Sequence, residues 1–199
     1  MQVDWSVECA ADDPVLVVPW KDPGGNAAFV DLRANPYDFD AVPEAEQHLP
    51  LMQLLRVLNA NRSPVFTAKC DVWILQPEEL DHLQFSLGLT DVPQTGVGSY
   101  IDIVWRDAAA FRSFHQHEHQ LARFVRLAAA VESESAELEF ILRPAVIDFD
   151  GPQEGYAVTA YVKAIGEDES MAMQEWAIAL DALGELIRGR PTAASRLVS

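Results

Sequence analysis

The run His115-Gln116-His117-Glu118-His119 is the densest gathering of metal-ligating and acid–base side chains in the sequence. On a helix, His115 and His119 stand one turn apart, a spacing at which two imidazoles can share a cation, with Glu118 beside them. The order differs from that of the zinc peptidases, where the glutamate directly follows the first histidine. On a wheel of about 100° per residue, the apolar arc of this segment centres on Phe114, Leu121 and Val125. Glu118 falls inside that arc, His117 near one border and His115 just past the other. A carboxylate in an apolar stripe needs a partner or stays protonated. Glu118 is therefore the candidate catalytic residue, and His117 a candidate ligand contact. His115 and His119 would hold a metal if one were bound, although no metal or cofactor is expected. A plainer account has the helix overhang its sheet here, leaving Glu118 and the histidines in water, and this is the expectation adopted. A buried structural hydrogen-bond pair is the third reading.

Other motifs carry less. Asp148-Phe-Asp150-Gly151 opens like a calcium loop but lacks the next acid and the late glutamate, so a hairpin turn is expected. Gly96-Val-Gly98 precedes a strand rather than a helix and lacks a third glycine, so it cradles no dinucleotide phosphate. Cys9 and Cys70 form no Cys-x-x-Cys pair, and each falls on the apolar phase of an expected strand. Trp73 falls on the polar phase of its strand, which makes it a second candidate contact residue.

The elements that position these residues follow from periodicity. Alternating apolar residues predict strands around 3–9, 28–32, 66–74, 97–105, 138–149 and 156–162, and the short apolar run at 15–18 predicts another. Phe66, Ala68, Cys70, Val72 and Ile74 are expected on one face. The inward phase shifts at Pro144, which suggests a bulge or an edge. Apolar residues three and four apart predict helices over 43–61, 107–131 and 168–188. Asn61 stops the first, Asp107 caps the second, and Gly189 and Pro191 stop the third. The segment 77–96 reads as a long excursion. The order approximates three strand–strand–helix units, giving an α+β fold with a mostly antiparallel sheet and about three principal helices. One domain over 1–199 is expected, looser over 1–62 and frayed over 190–199.

The chain carries 31 acidic and 14 basic residues, a formal net charge of −17. That charge repels phosphate backbones and anionic bilayers, so neither nucleic acid nor membrane is an expected partner. No apolar run is long enough to span a bilayer, and Met1-Gln-Val-Asp-Trp5 does not read as a signal peptide, so the cytoplasm is the expected compartment. The leading functional expectation is a non-enzymatic protein whose acidic surface recognises a basic protein partner. An enzyme or metal site at His115, Glu118 and His119 is the second, and a small-ligand-binding domain the third.

Overall fold

The structure, a computed structural model, describes residues 1–25, 27–89, 95–128 and 131–189. Six strands form one mixed, mostly antiparallel sheet: β1 Gln2–Val7, β2 Leu16–Val18, β3 Val65–Ile74, β4 Thr95–Trp105, β5 Ala136–Ile147 and β6 Gln153–Gly166. The order is β1-β5-β6-β4-β3. Both β1 and β2 lie parallel to β5 along its outer edge, and every other pairing is antiparallel. The helices are α1 Pro43–Gln47, α2 Leu49–Asn59, α3 Pro77–Leu87, α4 Ala108–Arg112, α5 Phe114–Ala128 and α6 Glu169–Ile187. Among the described residues six helices stand where about three principal ones are expected, and α3 stands between β3 and β4, where the strand–strand–helix order has none. The expected stop at Pro191 and the tail 190–199 lie outside the described residues.

One face of the sheet carries the main core. Leu138, Phe140 and Leu142 of β5, Val158, Ala160 and Val162 of β6, and Ile101 and Ile103 of β4 alternate onto this side, where α2, α5 and α6 cover them. The predicted stripes hold: Leu51, Leu54, Leu55 and Leu58 of α2 are buried, as are Ala172, Trp176, Leu180, Leu183 and Ile187 of α6. Each large side chain fully removed from water stabilises the fold by roughly 1.5–3 kcal/mol. Trp176, wholly buried, keeps its indole satisfied by donating to Ser99 Oγ at 2.9 Å.

The opposite face is covered only at its ends. At one end Phe66, Val104, Ala145 and Ala157 pack with Val18 and with Phe111 of α4. At the other, Leu75 and Ile165 pack with Leu83 of α3. This division explains the phase change at Pro144. The strand β5 keeps its register with β6 straight through Arg143, Pro144 and Ala145, without a bulge. What changes is the covered face, from the main core at Leu138–Leu142 to the second cluster at Ala145 and Ile147.

A bulge does occur, in β3. Thr67 lies opposite Ile103 and Cys70 opposite Ile101, so β3 carries one residue more than its partner. Phe66 and Ala68 therefore join the second cluster while Cys70 and Val72 pack on the main core, which splits the five residues expected on one face. Two further expectations fail locally. The segment from Pro77 forms a helix, closed by a Gln76–Glu79 capping box and by Gly88 at φ +67°. Residues 28–32 form no strand; Ala28 makes a lone bridge to Lys21. Cys9 lies beyond β1 and is exposed. Both edge strands tie up a backbone N–H with their own aspartate: Trp5 donates to Asp4 at 2.7 Å and Val72 to Asp71 at 2.8 Å. Such bonds blunt an edge against pairing with a further strand.

Candidate functional site

The β3 bulge builds a groove on the sheet face opposite α2, α5 and α6. Asn59, fully buried at the end of α2, holds it in place. Its amide donates to the Leu55 carbonyl at 2.8 Å and to Thr67 Oγ1 at 2.7 Å, and its oxygen accepts from the Thr67 N–H at 3.0 Å. At the next residue, the Ala68 carbonyl accepts the Trp20 indole N–H at 2.9 Å, which fixes the segment after β2 against β3. Lys69 then lies with its ammonium 5.7 Å from the Trp20 ring centroid and 5.9 Å from that of Tyr100, within cation–π range. Tyr100 continues an aromatic row across three strands, 6.4 Å from Trp73 on β3 and 6.0 Å from Tyr161 on β6.

Asp102 forms the floor. It is 6% exposed, and Thr159 from the neighbouring strand donates its hydroxyl to Oδ1 at 2.6 Å. Burial raises the Asp102 pKa above the ordinary carboxylate value; the Thr159 hydrogen bond and the charges of Arg143 and Lys69 oppose the rise. Burial likewise raises the Tyr100 phenol, helped by the negative charges of Asp102 and Asp71. The nearby Cys70 thiol is pushed up to about 12, again by burial first, with Glu44, Asp71 and Asp102 adding. Arg143 reaches over from β5, paired through Nη2 with Glu8 at 2.9 Å, while its Nε is buried without a hydrogen bond.

Together these residues and the Val15–Val17 segment enclose about 360 Å³. A second hollow of about 640 Å³ continues past Trp20, Lys69 and Tyr100 toward Cys70 and Asp71. Burial thus disfavours the charged forms of groups that elsewhere serve as base or nucleophile. The groove therefore presents hydrogen-bond donors and aromatic faces rather than an activated nucleophile.

The histidine cluster lies on the other side of the molecule. The expected helix over 107–131 breaks at Ser113, whose φ of −99° and ψ of 100° are not helical, and α5 starts afresh at Phe114. Phe111 before the break packs in the second cluster and Leu121 after it in the main core, so the chain changes faces there. The buried stripe of α5 runs His117, Leu121, Phe124 and Ala128, and His117, not Glu118, occupies the core position. Glu118 is about one-third exposed and meets the exposed His115 at 3.0 Å. His119 is exposed as well. Among the described residues, no group of three or more His, Cys, Asp or Glu side chains could hold a metal ion.

His117 is packed rather than presented. Its Nδ1 donates to the Ser113 carbonyl at 2.9 Å, and its ring meets Trp105 edge-on at a centroid distance of 4.7 Å. Burial lowers its pKa, with the Ser113 and Tyr156 backbones opposing. Beside it a hollow of about 930 Å³ opens between α5, Trp5 and Trp105. Trp73 lies half-buried on the groove face, its ring above Gly98, where any Cβ would come within 2.7 Å of the indole. Its Nε1 donates to Glu79 Oε1 at 3.2 Å. The structure thus joins Trp73 to the groove's aromatic row and leaves His115, His117, Glu118 and His119 apart from it.

Sequence reasoning passed over Asp102, Tyr100, Lys69 and Trp20. The available signal was a carboxylate set between Ile101 and Ile103 in a strongly apolar strand; the hollow above it is lined in part by Trp20 and Lys21 from the distant segment after β2. No family model matches the chain, and no curated protein or solved structure matches it either.

Proposed function

We propose that this protein is a non-enzymatic binding protein that holds a small ligand in the groove floored by Asp102. The observation that carries this reading is the conjunction of a buried carboxyl, an aromatic row and a hollow on a sheet face that is otherwise covered only at its ends. A planar ligand would lie against Tyr100 and Tyr161, with Trp20 closing one side and Trp73 extending the platform. Burial raises the pKa values of Tyr100 and Cys70, so neither is an activated nucleophile, which favours recognition over covalent chemistry. The test is a small-molecule screen by NMR on the full chain, following the Trp20 indole and the Tyr161 amide. Hits should shift both signals, and Tyr161→Ala should weaken them while leaving the melt cooperative. Hits that instead collect around Trp105 and His117 would refute the assignment.

A second reading, recognition of a basic protein through the acidic surface, is favoured by the net charge of −17. Such association would weaken steeply above physiological salt, where the Debye length is about 8 Å. Salt-insensitive capture would contradict it.

A further inference from the structure

The groove reverses the charge balance of the chain that contains it. The protein has 31 acidic and 14 basic residues. Yet the hollow above Asp102 is lined by three cations, Lys21, Lys69 and Arg143, against the single carboxyl. Lys69 forms no ion pair among the described residues and rests on the faces of Trp20 and Tyr100. Arg143 spends Nη2 on Glu8 and keeps a buried Nε unbonded. Asp102 has its Oδ1 engaged by Thr159, so a proton would reside on Oδ2.

We infer that the groove takes an aromatic or planar anion, its carboxylate or phosphate oxygens meeting Lys69 and Arg143 while its ring lies along Tyr100 and Tyr161. The inference rests on the ligand-binding reading above and specifies the ligand's charge. Within a hollow of about 360 Å³ a single ring with one acidic group is the fitting size. Asp102 then acts as a donor when protonated and as a repelling charge when ionised. Binding therefore takes up a proton and weakens as pH rises through the Asp102 titration. The charged or titratable groups facing Asp102 are Lys21 after β2, Lys69 on β3, Tyr100 on β4, Arg143 on β5 and Tyr161 on β6. Burial holds the Asp102 and Tyr100 protons more firmly than in water, which supports the donor role.

Three probes of one shape and different charge test this: benzoate, benzamide and benzylamine, titrated into the full chain and followed by NMR between pH 5 and pH 8. Benzoate should bind at least ten times more tightly than benzylamine, and its affinity should fall as pH rises through the Asp102 titration. Lys69→Met, a change at an exposed position, should reduce benzoate affinity about tenfold, or about 1.4 kcal/mol. Asp102→Asn should abolish the pH dependence of benzoate binding. A preference for benzylamine or benzamide, still shifting Trp20 and Tyr161, would overturn the anionic assignment and leave the groove as the ligand site. If none of the probes moves those signals in the folded protein, both readings fall.

Discussion

Replacing Asp102 with Asn removes a buried ionisable group and changes little else. The side chain is 6% exposed, and its one hydrogen bond, from Thr159 at 2.6 Å, can pass to the amide oxygen. In the folded protein the Asp102 pKa stands above the ordinary aspartate value of 3.8. Between those two values the folded state binds more protons than the unfolded state, so stability falls as pH rises through that window and stays lower above it. The Asn variant lacks this loss. It should therefore be more stable than the wild type at pH 7 and indistinguishable from it below about pH 3.8 once other carboxyls have titrated equally in both proteins. Relief of a strained site residue is commonly worth about 0.5–2 kcal/mol. For a chain of this length each kcal/mol moves the melting temperature by about 2–4 °C. Thermal melts of both proteins at half-unit steps from pH 3 to pH 8 give the comparison directly. A variant less stable than wild type at pH 7 would refute the reasoning. It would mean that Lys69 and Arg143 hold Asp102 ionised, in a net favourable ion network.

Two further perturbations probe the elements behind the groove and the histidine cluster. Asn59→Ala strips the Thr67 N–H of its buried acceptor and the Leu55 carbonyl of a donor, and should cost about 2–4 kcal/mol in urea unfolding, from an orphaned group of about 1–3 kcal/mol and lost packing. It should also displace the Trp20 indole signal, since the bulge carries the Ala68 carbonyl; an unmoved Trp20 would uncouple Asn59 from the groove. His117→Phe addresses acid stability. The His117 pKa is lowered in the folded state, so its contribution is complete above pH 6.5 and is lost as pH falls below that value. Phe carries no such loss, so the variant should be the weaker protein at pH 7.5 and regain ground on wild type by pH 5; a constant gap in urea midpoints would refute a buried neutral imidazole.

How far the sequence could be read depended on whether a pattern was local. The α6 stripe through Trp176 and the α2 stripe through Leu55 are single uninterrupted periods, and both are buried as periodicity requires. The wheel centred its apolar arc on Phe114, Leu121 and Val125, whereas the buried stripe of α5 runs His117, Leu121, Phe124 and Ala128. His117, expected at the border and in water, therefore lies in the core, and Glu118, inside the arc, is about one-third exposed. The phase change at Pro144 was a true signal with the wrong cause: alternation records which side of a strand is covered, and β5 is covered on different sides at its two ends. Asp102 is the clearest case. Alternation assigns it to the polar side of β4, and in space it lies there. The hollow above it is shared with Trp20, more than eighty residues earlier in the chain, held by the carbonyl of a bulge that no spacing rule marks. Tyr100, Asp102, Thr159 and Tyr161 of the groove each read as the solvated side of their strand. Its charge reversal emerges only when Lys21, Lys69 and Arg143, scattered through an acidic sequence, are set around one carboxyl.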